Sequence, residues 1–277
     1  MSVCSGLKRV LRYIIKGVPN QVITPARISY LRPGGILAGR KIIVTGGGRG
    51  LGFAMAKKFR AEGAEVLIAG RNAETLEKSA AEIGCRYLPL DLGNVADFPE
   101  FIKQSAQRLG GVNTLVNNAG VSLHESGFLE VTPAQWDVQF STNLRGPFFL
   151  TQEFIRFCRQ EQIDTAKRIL FISSETGTTV DERPYGLTKY ALNSLIQGLA
   201  YRYAQQGYRI NGIAPGVTAS DMTGLKDTNN LTSGNGRYYL PEEVAEVAAF
   251  LLSDLSNTLN GQILVTNEGK TINARWR

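Results

Sequence analysis

Short β-branched runs and longer stretches with helical periodicity alternate along most of this chain. The short runs are typical of buried strands, and they predict strands over residues 41–44, 64–69, 85–90, 113–116, 168–172, 209–213 and 262–265. Apolar residues at helical spacing predict helices over residues 53–59, 73–83, 95–109, 133–160, 185–205 and 241–253. Strands and helices that alternate through short loops predict an α/β fold with a doubly wound parallel sheet, the Rossmann fold.

Charge divides the chain near residue 40. Residues 1–40 contain seven Lys or Arg residues and no acid, and the rest contains 24 basic and 24 acidic residues, because the whole chain has 31 and 24. The net charge of +7 therefore belongs to the beginning of the chain. We predict one domain over residues 38–277, preceded by a basic extension over residues 1–37. We expect no nucleic-acid partner, since such binding requires a basic face on the folded domain.

The extension contains a basic amphipathic segment over residues 3–18. Apolar residues at helical spacing lie between its lysines and arginines, which predicts a helix. Three interpretations stay open: the helix packs on its own domain or a neighbouring subunit, contacts an anionic membrane surface, or directs the chain to an organelle. No apolar run reaches the roughly 18–20 residues of a membrane span. We expect a cytoplasmic protein, and the membrane interpretation implies peripheral contact at the inner face of the membrane.

Cysteine and histidine are too few to form a covalent or metal framework. The chain has three widely spaced cysteines, Cys4, Cys85 and Cys158, and a single histidine, His124. An odd number of cysteines at this spacing favours neither disulfides nor a zinc site. We therefore predict no metal and a reducing compartment.

The stretch from Thr45 to Gly52 carries the first candidate chemistry. It reads Thr-Gly-Gly-Gly-Arg-Gly-Leu-Gly and joins the first predicted strand to the first predicted helix. Glycines permit a tight turn and a close approach of the backbone to a pyrophosphate, whose charge the free N–H groups of the helix start receive. Such turns also occur as plain connections, so the prediction of a dinucleotide site depends on the residues that follow.

Two arginines bear on which dinucleotide binds. The second predicted strand is followed by Gly70-Arg71, without a carboxylate to accept hydrogen bonds from an adenosine ribose diol. Arg71, together with Arg49 of the glycine turn, is suited to pair with a 2′-phosphate, although each alone is equally a solvated surface arginine. The two together favour NADP(H) over NAD(H).

A tyrosine and a lysine follow the fifth predicted strand. Tyr185 and Lys189 are four residues apart and share one face of a predicted helix, with Ser173 and Ser174 upstream. A phenol with an ordinary pKa near ~10 is a poor acid–base group at neutral pH, and a nearby ammonium favours the phenolate. Their place after a strand of a nucleotide-binding fold favours a catalytic pair over an ordinary surface pair.

With these residues the chain resembles the short-chain dehydrogenase/reductase family over roughly residues 38–270. The matching motifs are the glycine turn Thr45–Gly52, Asn117-Asn118-Ala119-Gly120, Asn143, the Ser-Tyr-Lys set and Pro215-Gly216. The resemblance implies an NADP(H)-dependent oxidoreductase that transfers a hydride between the nicotinamide and a carbonyl or secondary alcohol. By analogy it also implies a homo-oligomer, a dimer or tetramer.

The resemblance also implies roles for single residues. Ser174 resembles the serine that holds the substrate carbonyl, with Ser173 as the alternative. Tyr185 resembles the proton donor, Lys189 the residue that binds the nicotinamide ribose and lowers the tyrosine pKa, and Asn143 the asparagine that holds a water. The positions that match cofactor contacts in the family are Thr45, Gly46, Gly48, Arg49, Gly50, Leu51, Gly52, Arg71, Asp91, Leu92, Asn117, Ala119, Gly120, Tyr185, Lys189, Pro215, Gly216, Val217 and Ser220.

The segment between Ser174 and Tyr185 departs from the family pattern. It is about two residues shorter than is common and carries Glu175, Asp181, Glu182 and Arg183. A short charged rim favours a small polar substrate, such as a 3-oxoacyl thioester or a keto-sugar, although loop solubility explains the charges equally well. Two alternatives stay open: an NAD-dependent alcohol dehydrogenase, and a non-catalytic NADPH-binding scaffold or sensor held at a membrane by the N-terminal helix.

Overall fold

A sheet of seven parallel strands forms the centre of the molecule in the computed structural model, which describes residues 35–225, 231–233 and 236–272. Its strands are β1 (Lys41–Thr45), β2 (Glu65–Gly70), β3 (Arg86–Pro89), β4 (Thr114–Asn117), β5 (Lys167–Ile172), β6 (Tyr208–Pro215) and β9 (Ile263–Thr266). Their spatial order is β3-β2-β1-β4-β5-β6-β9. Two short strands, β7 (Thr232–Ser233) and β8 (Gly236–Arg237), form a separate antiparallel pair.

Helices cover both faces of the sheet. In chain order they are α1 (Gly50–Ala61), α2 (Ala73–Ile83), α3 (Phe98–Leu109), α4 (Pro133–Phe140), α5 (Gly146–Gln160), α6 (Pro184–Tyr203) and α7 (Pro241–Leu252). Each face of the sheet has its own hydrophobic core, and alternate side chains of each strand pack into one core or the other. Ile42 and Val44 pack with α1, α2 and α7, whereas Ile43 packs with α3, α5 and α6.

The predicted doubly wound parallel sheet is confirmed, and each of its strands begins and ends within two residues of the prediction. Strands buried on both faces read as continuous apolar runs, which is why the sequence locates them well. The basic segment over residues 3–18 lies outside the described residues, so its three interpretations stay predictions. No helix in the described ranges has both the length and the apolar character to cross a membrane.

The predicted helix over residues 133–160 is interrupted at its middle. Its two parts, α4 and α5, are joined by a π-helical turn over Ser141–Arg145. Pro147 lacks an N–H group and cannot donate to the carbonyl of Asn143, which breaks the α-helical pattern there. Gly146 lies so close to Leu92 that an added Cβ would be 2.8 Å from the Leu92 carbonyl oxygen. The turn therefore positions Asn143 where a regular helix would not.

The strand order reverses between β1 and β4, which places a crevice at the carboxyl ends of the central strands. All strands of the large sheet are parallel, so the residues that follow each strand meet at the same edge. The glycine turn follows β1, the run Asn117–Gly120 ends β4, Ser173 and Ser174 follow β5, and Pro215-Gly216 ends β6. The motifs singled out in the sequence thus gather at this edge.

Candidate active site

The glycine turn has a backbone that other residues would not adopt without strain. Gly46 and Gly50 have φ values of +65° and +53°, in the left-handed region that favours glycine. A Cβ on Gly46 would lie 2.9 Å from the Cα of Ala119, and one on Gly52 would collide with the carbonyl oxygen of Gly46. The turn therefore packs tightly on the end of β4, and its glycines place no side chain over the backbone.

The start of α1 is suited to hold an anion. Arg49 stands at the N-cap without a side-chain hydrogen bond to the helix, and the first turn contains no acidic residue. The first N–H groups of a helix have no partner within it, and the helix dipole adds a partial positive charge. The glycines and these N–H groups have the chemistry that a pyrophosphate requires, and its binding here stays a prediction. Leu51 contributes a partly buried side chain to the core beneath it.

Thr45 and Asn118 lock β1 to β4 at this edge. The Thr45 hydroxyl accepts hydrogen bonds from the N–H groups of Asn118 (3.0 Å) and Ala119 (3.1 Å) and donates to the Val116 carbonyl (3.2 Å). The Asn118 side chain donates to the carbonyls of Thr45 and Gly46. Thr45 is therefore fully engaged in holding the turn, a role that the sequence did not distinguish from a direct cofactor contact.

Asn117 and Asn143 fix the loop that follows β4. Asn117 donates to the Thr151 hydroxyl at 2.9 Å and so anchors β4 to α5. Asn143 forms two hydrogen bonds of 2.8 Å with the backbone of Val121, donating to its carbonyl and accepting from its N–H. Both asparagines are buried. They hold the backbone around Gly120 in place beside Lys189.

Ser174 lies beside Tyr185, and Ser173 does not. The Ser173 hydroxyl faces the backbone of α6, where it donates to the Lys189 carbonyl at 3.4 Å. Ser174 accepts hydrogen bonds from Thr176, and its side chain forms a hydrogen bond with Tyr185 that lowers the phenol pKa. Of the two serines left open by the sequence, the geometry therefore favours Ser174 as the partner of Tyr185.

Three environments act on the Tyr185 phenol. Burial raises its pKa most strongly, the Ser174 hydrogen bond opposes that shift, and the negative charge of Glu175 raises it further. The net shift is upward, so the phenol is protonated at neutral pH in the unliganded protein. A phenol in this state is able to donate a proton.

Lys189 is a buried cation close to this phenol. Its Nζ atom lies 5.5 Å from the centre of the Tyr185 ring and donates to the Ile172 carbonyl at 2.8 Å. Only 4% of Lys189 is exposed, and burial lowers its pKa to about 8. The prediction that these two residues share a helix face is confirmed by their contact within α6.

The segment after β6 forms the opposite wall. A Cβ on Gly216 would lie 2.5 Å from the Tyr239 ring and 3.0 Å from Asn267, so only glycine fits between Pro215 and Val217. Ser220 comes close to the glycine turn, because a Cβ on Gly50 would lie 3.6 Å from the Ser220 Cβ. The two walls of the crevice therefore meet at this point.

The residues predicted for the adenosine end lie on the outer part of the edge. Arg49 and Arg71 are exposed, and Arg49 makes a loose ion pair with Asp221 at 3.5 Å. Asp91 accepts a hydrogen bond from the Gly93 N–H. The Leu92 side chain belongs to the core, so only its backbone is available to a ligand. Gly48 packs beside Thr75 on α2 and accepts a hydrogen bond from Ser79.

His124 and Glu175 are features of the site that motif matching does not assign. His124 has a left-handed backbone (φ +54°), and its Nε2 lies 2.8 Å from the Met222 carbonyl, which links the loop after β4 to the segment after β6. Glu175 follows Ser174 directly and accepts a hydrogen bond from Asn267 at 2.9 Å. The signals for Glu175 in the sequence are its position next to that serine and its place in the charged segment that follows. Within the described ranges, no group of three His, Cys, Asp or Glu residues is placed to hold a metal ion.

Similarity to known proteins extends over most of the chain. A family model described as enoyl-(acyl carrier protein) reductase matches residues 46–271. The 3-oxoacyl-[acyl-carrier-protein] reductase FabG of Aquifex aeolicus is 31% identical over 246 residues, which cover 84% of this chain and 98% of that protein. Gluconate 5-dehydrogenase of Gluconobacter oxydans is 32% identical over 248 residues, covering 85% and 96%.

A solved structure gives the same picture of the fold. The crystal structure of 3-ketoacyl-(acyl-carrier-protein) reductase from Brucella melitensis complexed with NADH matches with a TM-score of 0.77 at 28% identity. The match covers 85% of this chain and 100% of that one. The sheet described above therefore has the same fold as this reductase.

Proposed function

The chain belongs to the short-chain dehydrogenase/reductase family, and we propose that within it the protein is an NADP(H)-dependent oxidoreductase of a carbonyl or secondary alcohol on a small polar substrate. The observation that carries this proposal is the contact of Ser174, Tyr185 and Lys189 at the sheet edge, next to the glycine turn. A cradle for a dinucleotide and a proton donor at one edge are the two parts that carbonyl reduction requires.

The side chains divide the chemistry between them. In reduction, the Ser174 and Tyr185 hydroxyls donate hydrogen bonds to the carbonyl oxygen and polarise it, and Tyr185 then delivers its proton to that oxygen. A nicotinamide bound in the crevice would supply or accept the hydride. The Lys189 ammonium favours the phenolate that remains after the proton has left. In oxidation the same phenolate takes the proton from the alcohol.

The residues that would hold the dinucleotide are those at the carboxyl ends of the sheet strands. The glycine turn and the start of α1 would receive the pyrophosphate, Asp91 and the backbone of Leu92 the adenine, and Asn117, Ala119 and Gly120 the adjacent ribose region. Lys189 and Tyr185 would contact the nicotinamide ribose. The segment Pro215–Val217 and Ser220 would hold the nicotinamide end.

The preference for NADP(H) rests on Arg49 and Arg71. Both are exposed at the edge that would receive the adenosine, and β2 ends in Gly70 rather than in an acid. A charge-assisted pair with a 2′-phosphate is worth about 1.5–3 kcal/mol, or roughly 10–100-fold in affinity.

Arg71→Ala is expected to lower the ratio of kcat/KM for NADPH to that for NADH by at least roughly tenfold, because the 2′-phosphate loses its partner. Arg86→Ala, at the other end of the neighbouring strand β3, is the matched control and should leave the ratio unchanged. Initial rates with both cofactors give the ratio. A wild-type preference for NADH would instead support the NAD-dependent alternative, which the NADH complex of the Brucella melitensis relative makes the second candidate.

The substrate class can be identified by measuring activity on a panel of carbonyl compounds. The names of two relatives point to 3-oxoacyl thioesters and to gluconate, and both are polar compounds with a carbonyl or a secondary alcohol. We propose that 3-oxoacyl thioesters, keto-sugars and simple diketones include the class that this site reduces. Reduction of at least one of these classes with NADPH is the outcome that supports the proposal.

We also propose that the protein is a homo-oligomer. A groove of about 290 Å³ lies between α5 and α6, with Phe148, Ile155, Leu195 and Leu199 among its lining residues. Phe148 is 42% exposed in the single chain, so a second copy seated here would bury it. The mass of the particle in solution tests this proposal.

A further inference from the structure

A carboxylate lies beside the catalytic pair, and no step of the proposed reaction uses it. Glu175 follows Ser174 and opens a single helical turn over Glu175–Thr178. Gly177 in this turn packs against the backbone of Lys189, which ties the turn to α6. The carboxylate is close enough to Tyr185 for its charge to act on the phenol.

Asn267 fixes the direction of the Glu175 side chain. Asn267 is buried and donates to Glu175 Oε2 at 2.9 Å, while it is itself held by Thr271 and by the Gly269 N–H. The same asparagine packs under Gly216. Glu175 therefore joins the turn after Ser174 to the residue that packs under Gly216, and so borders the crevice between the Ser174–Tyr185 pair and the wall proposed to hold the nicotinamide.

Within the residues that the structure describes, this carboxylate is not neutralised by a neighbour. Among the described residues, no lysine or arginine forms an ion pair with Glu175, and its Oε1 atom has no hydrogen-bond donor. Asp181 in the same loop differs, because Arg183 pairs with both of its oxygens. An ionised carboxylate only accepts hydrogen bonds, so Oε1 is available to a donor carried by the substrate.

We propose that Glu175 selects substrates by charge, with Oε1 accepting a hydrogen bond from a hydroxyl group next to the reacting carbonyl and the carboxylate repelling anionic substrates. This inference rests on the proposed function and narrows its substrate class to uncharged hydroxyketones of the keto-sugar type. A keto acid would bring a second negative charge to a partly desolvated site, which is unfavourable. A ketone without a donor would leave Oε1 unused.

Glu175→Gln tests this selection, because glutamine keeps an oxygen for Asn267 and removes the charge. The substrates form a matched series: hydroxyacetone, aminoacetone, 2-butanone and pyruvate. For the wild type we expect kcat/KM to be higher for hydroxyacetone and aminoacetone than for 2-butanone, and lowest for pyruvate. In Glu175→Gln the gap between hydroxyacetone and pyruvate is expected to shrink by roughly tenfold, and aminoacetone to lose its advantage.

Two further readouts separate selection from a structural role. Reduction requires protonated Tyr185, so activity falls as pH rises through the phenol pKa. Because the charge of Glu175 raises that pKa, this basic limb should move to lower pH in Glu175→Gln. The affinities of the same four ligands can be measured without turnover in the Tyr185→Phe background, by quenching of bound NADPH fluorescence. They should follow the same order as the kcat/KM values. Glu182→Gln, an exposed acid of the same loop, is the matched control for all three measurements.

The outcomes distinguish the two proposals. If the wild type reduces neither this series nor the wider panel, the proposed function fails and the inference falls with it. If turnover occurs but the substrate order and the pH limb are the same in Glu175→Gln, the inference is overturned and the function stands. A wild type that prefers pyruvate to hydroxyacetone overturns the inference even if the Glu175→Gln variant does not fold.

Discussion

At the scale of single residues, burial changes the pKa that the residue type alone would predict. Lys189 is an ordinary lysine by sequence, yet its environment lowers its pKa from 10.5 to about 8. Such a shift is a cost to the folded state, since a buried cation with one carbonyl partner is poorly solvated. We interpret this cost as one that a functional site tolerates, because in the proposed reaction the charge would stabilise the Tyr185 phenolate.

The sign of this effect gives a prediction for Lys189→Met. Unfolded lysine takes up its proton near pH 10.5, and folded Lys189 takes it up near pH 8. Between these values the unfolded state binds more protons, so wild-type stability falls as pH drops from 10.5 to 8. The variant has no such group. As pH drops from 10.5 to 8, the free energy of unfolding of the variant should therefore rise relative to that of the wild type, by up to roughly 3 kcal/mol.

Urea unfolding of the cofactor-free proteins at several pH values measures this difference. Lys78→Met is the control, because 75% of the Lys78 side chain is exposed, and its difference from the wild type should stay constant over the window. If the difference in free energy of unfolding between Lys189→Met and the wild type is also independent of pH, this would contradict the buried charge.

Single-residue roles were only partly predictable from the sequence. Tyr185 and Lys189 are found by spacing alone, because four residues along a helix return to the same face. The choice between Ser173 and Ser174 is not, since neighbouring residues in an extended chain point to opposite sides and either register is compatible with the sequence. The structure distinguishes them because Ser173 is held by the backbone of α6.

At the scale of elements, packing against α6 positions the turn that carries Ser174. An added Cβ on Gly177 would lie 2.8 Å from the carbonyl carbon of Lys189 and 2.9 Å from its oxygen. Backbone atoms of a helix do not move aside easily, so the turn itself would have to shift.

Gly177→Ala is expected to lower the free energy of unfolding by about 1–3 kcal/mol and to reduce kcat/KM by roughly tenfold or more, because Ser174 would be displaced from Tyr185. Gly198→Ala on α6 is the control, since a Cβ there meets no described residue within 4 Å. It should raise stability by about 0.5–1 kcal/mol without lowering turnover. Chemical denaturation and initial rates measure both quantities. Equal behaviour of the two variants would contradict this account of the turn.

The interrupted helix shows the limit of periodicity at this scale. Apolar residues continue at helical spacing from α4 into α5, so the pattern predicts one helix. The π turn changes the register between α4 and α5 through its hydrogen bonds. Such hydrogen bonds have little effect on the amino-acid composition of the segment. Pro147 and the contact of Gly146 with Leu92 are its physical causes, and only the proline is visible in the sequence.

At the scale of the whole molecule, the sheet was predictable because burial on both faces demands apolar strands, and its parallel order follows from the alternation with helices. The gathering of the motifs at one edge follows from the same order. The contacts of Glu175 were not predictable, because Asn267 is 92 residues away in the chain and meets it only through the folded sheet.

Tyr185→Phe is the most informative variant, because we propose that Tyr185 donates the proton in an NADPH-dependent carbonyl reduction. Loss of a general acid costs about 10²–10⁴-fold in rate. We expect turnover to fall by at least roughly 10²-fold on any substrate that the wild type reduces, with NADPH affinity nearly unchanged. Tyr190→Phe, a more exposed tyrosine of the same helix, should keep full activity. A Tyr185→Phe variant that reduces the same substrate at a rate close to that of the wild type would contradict the account.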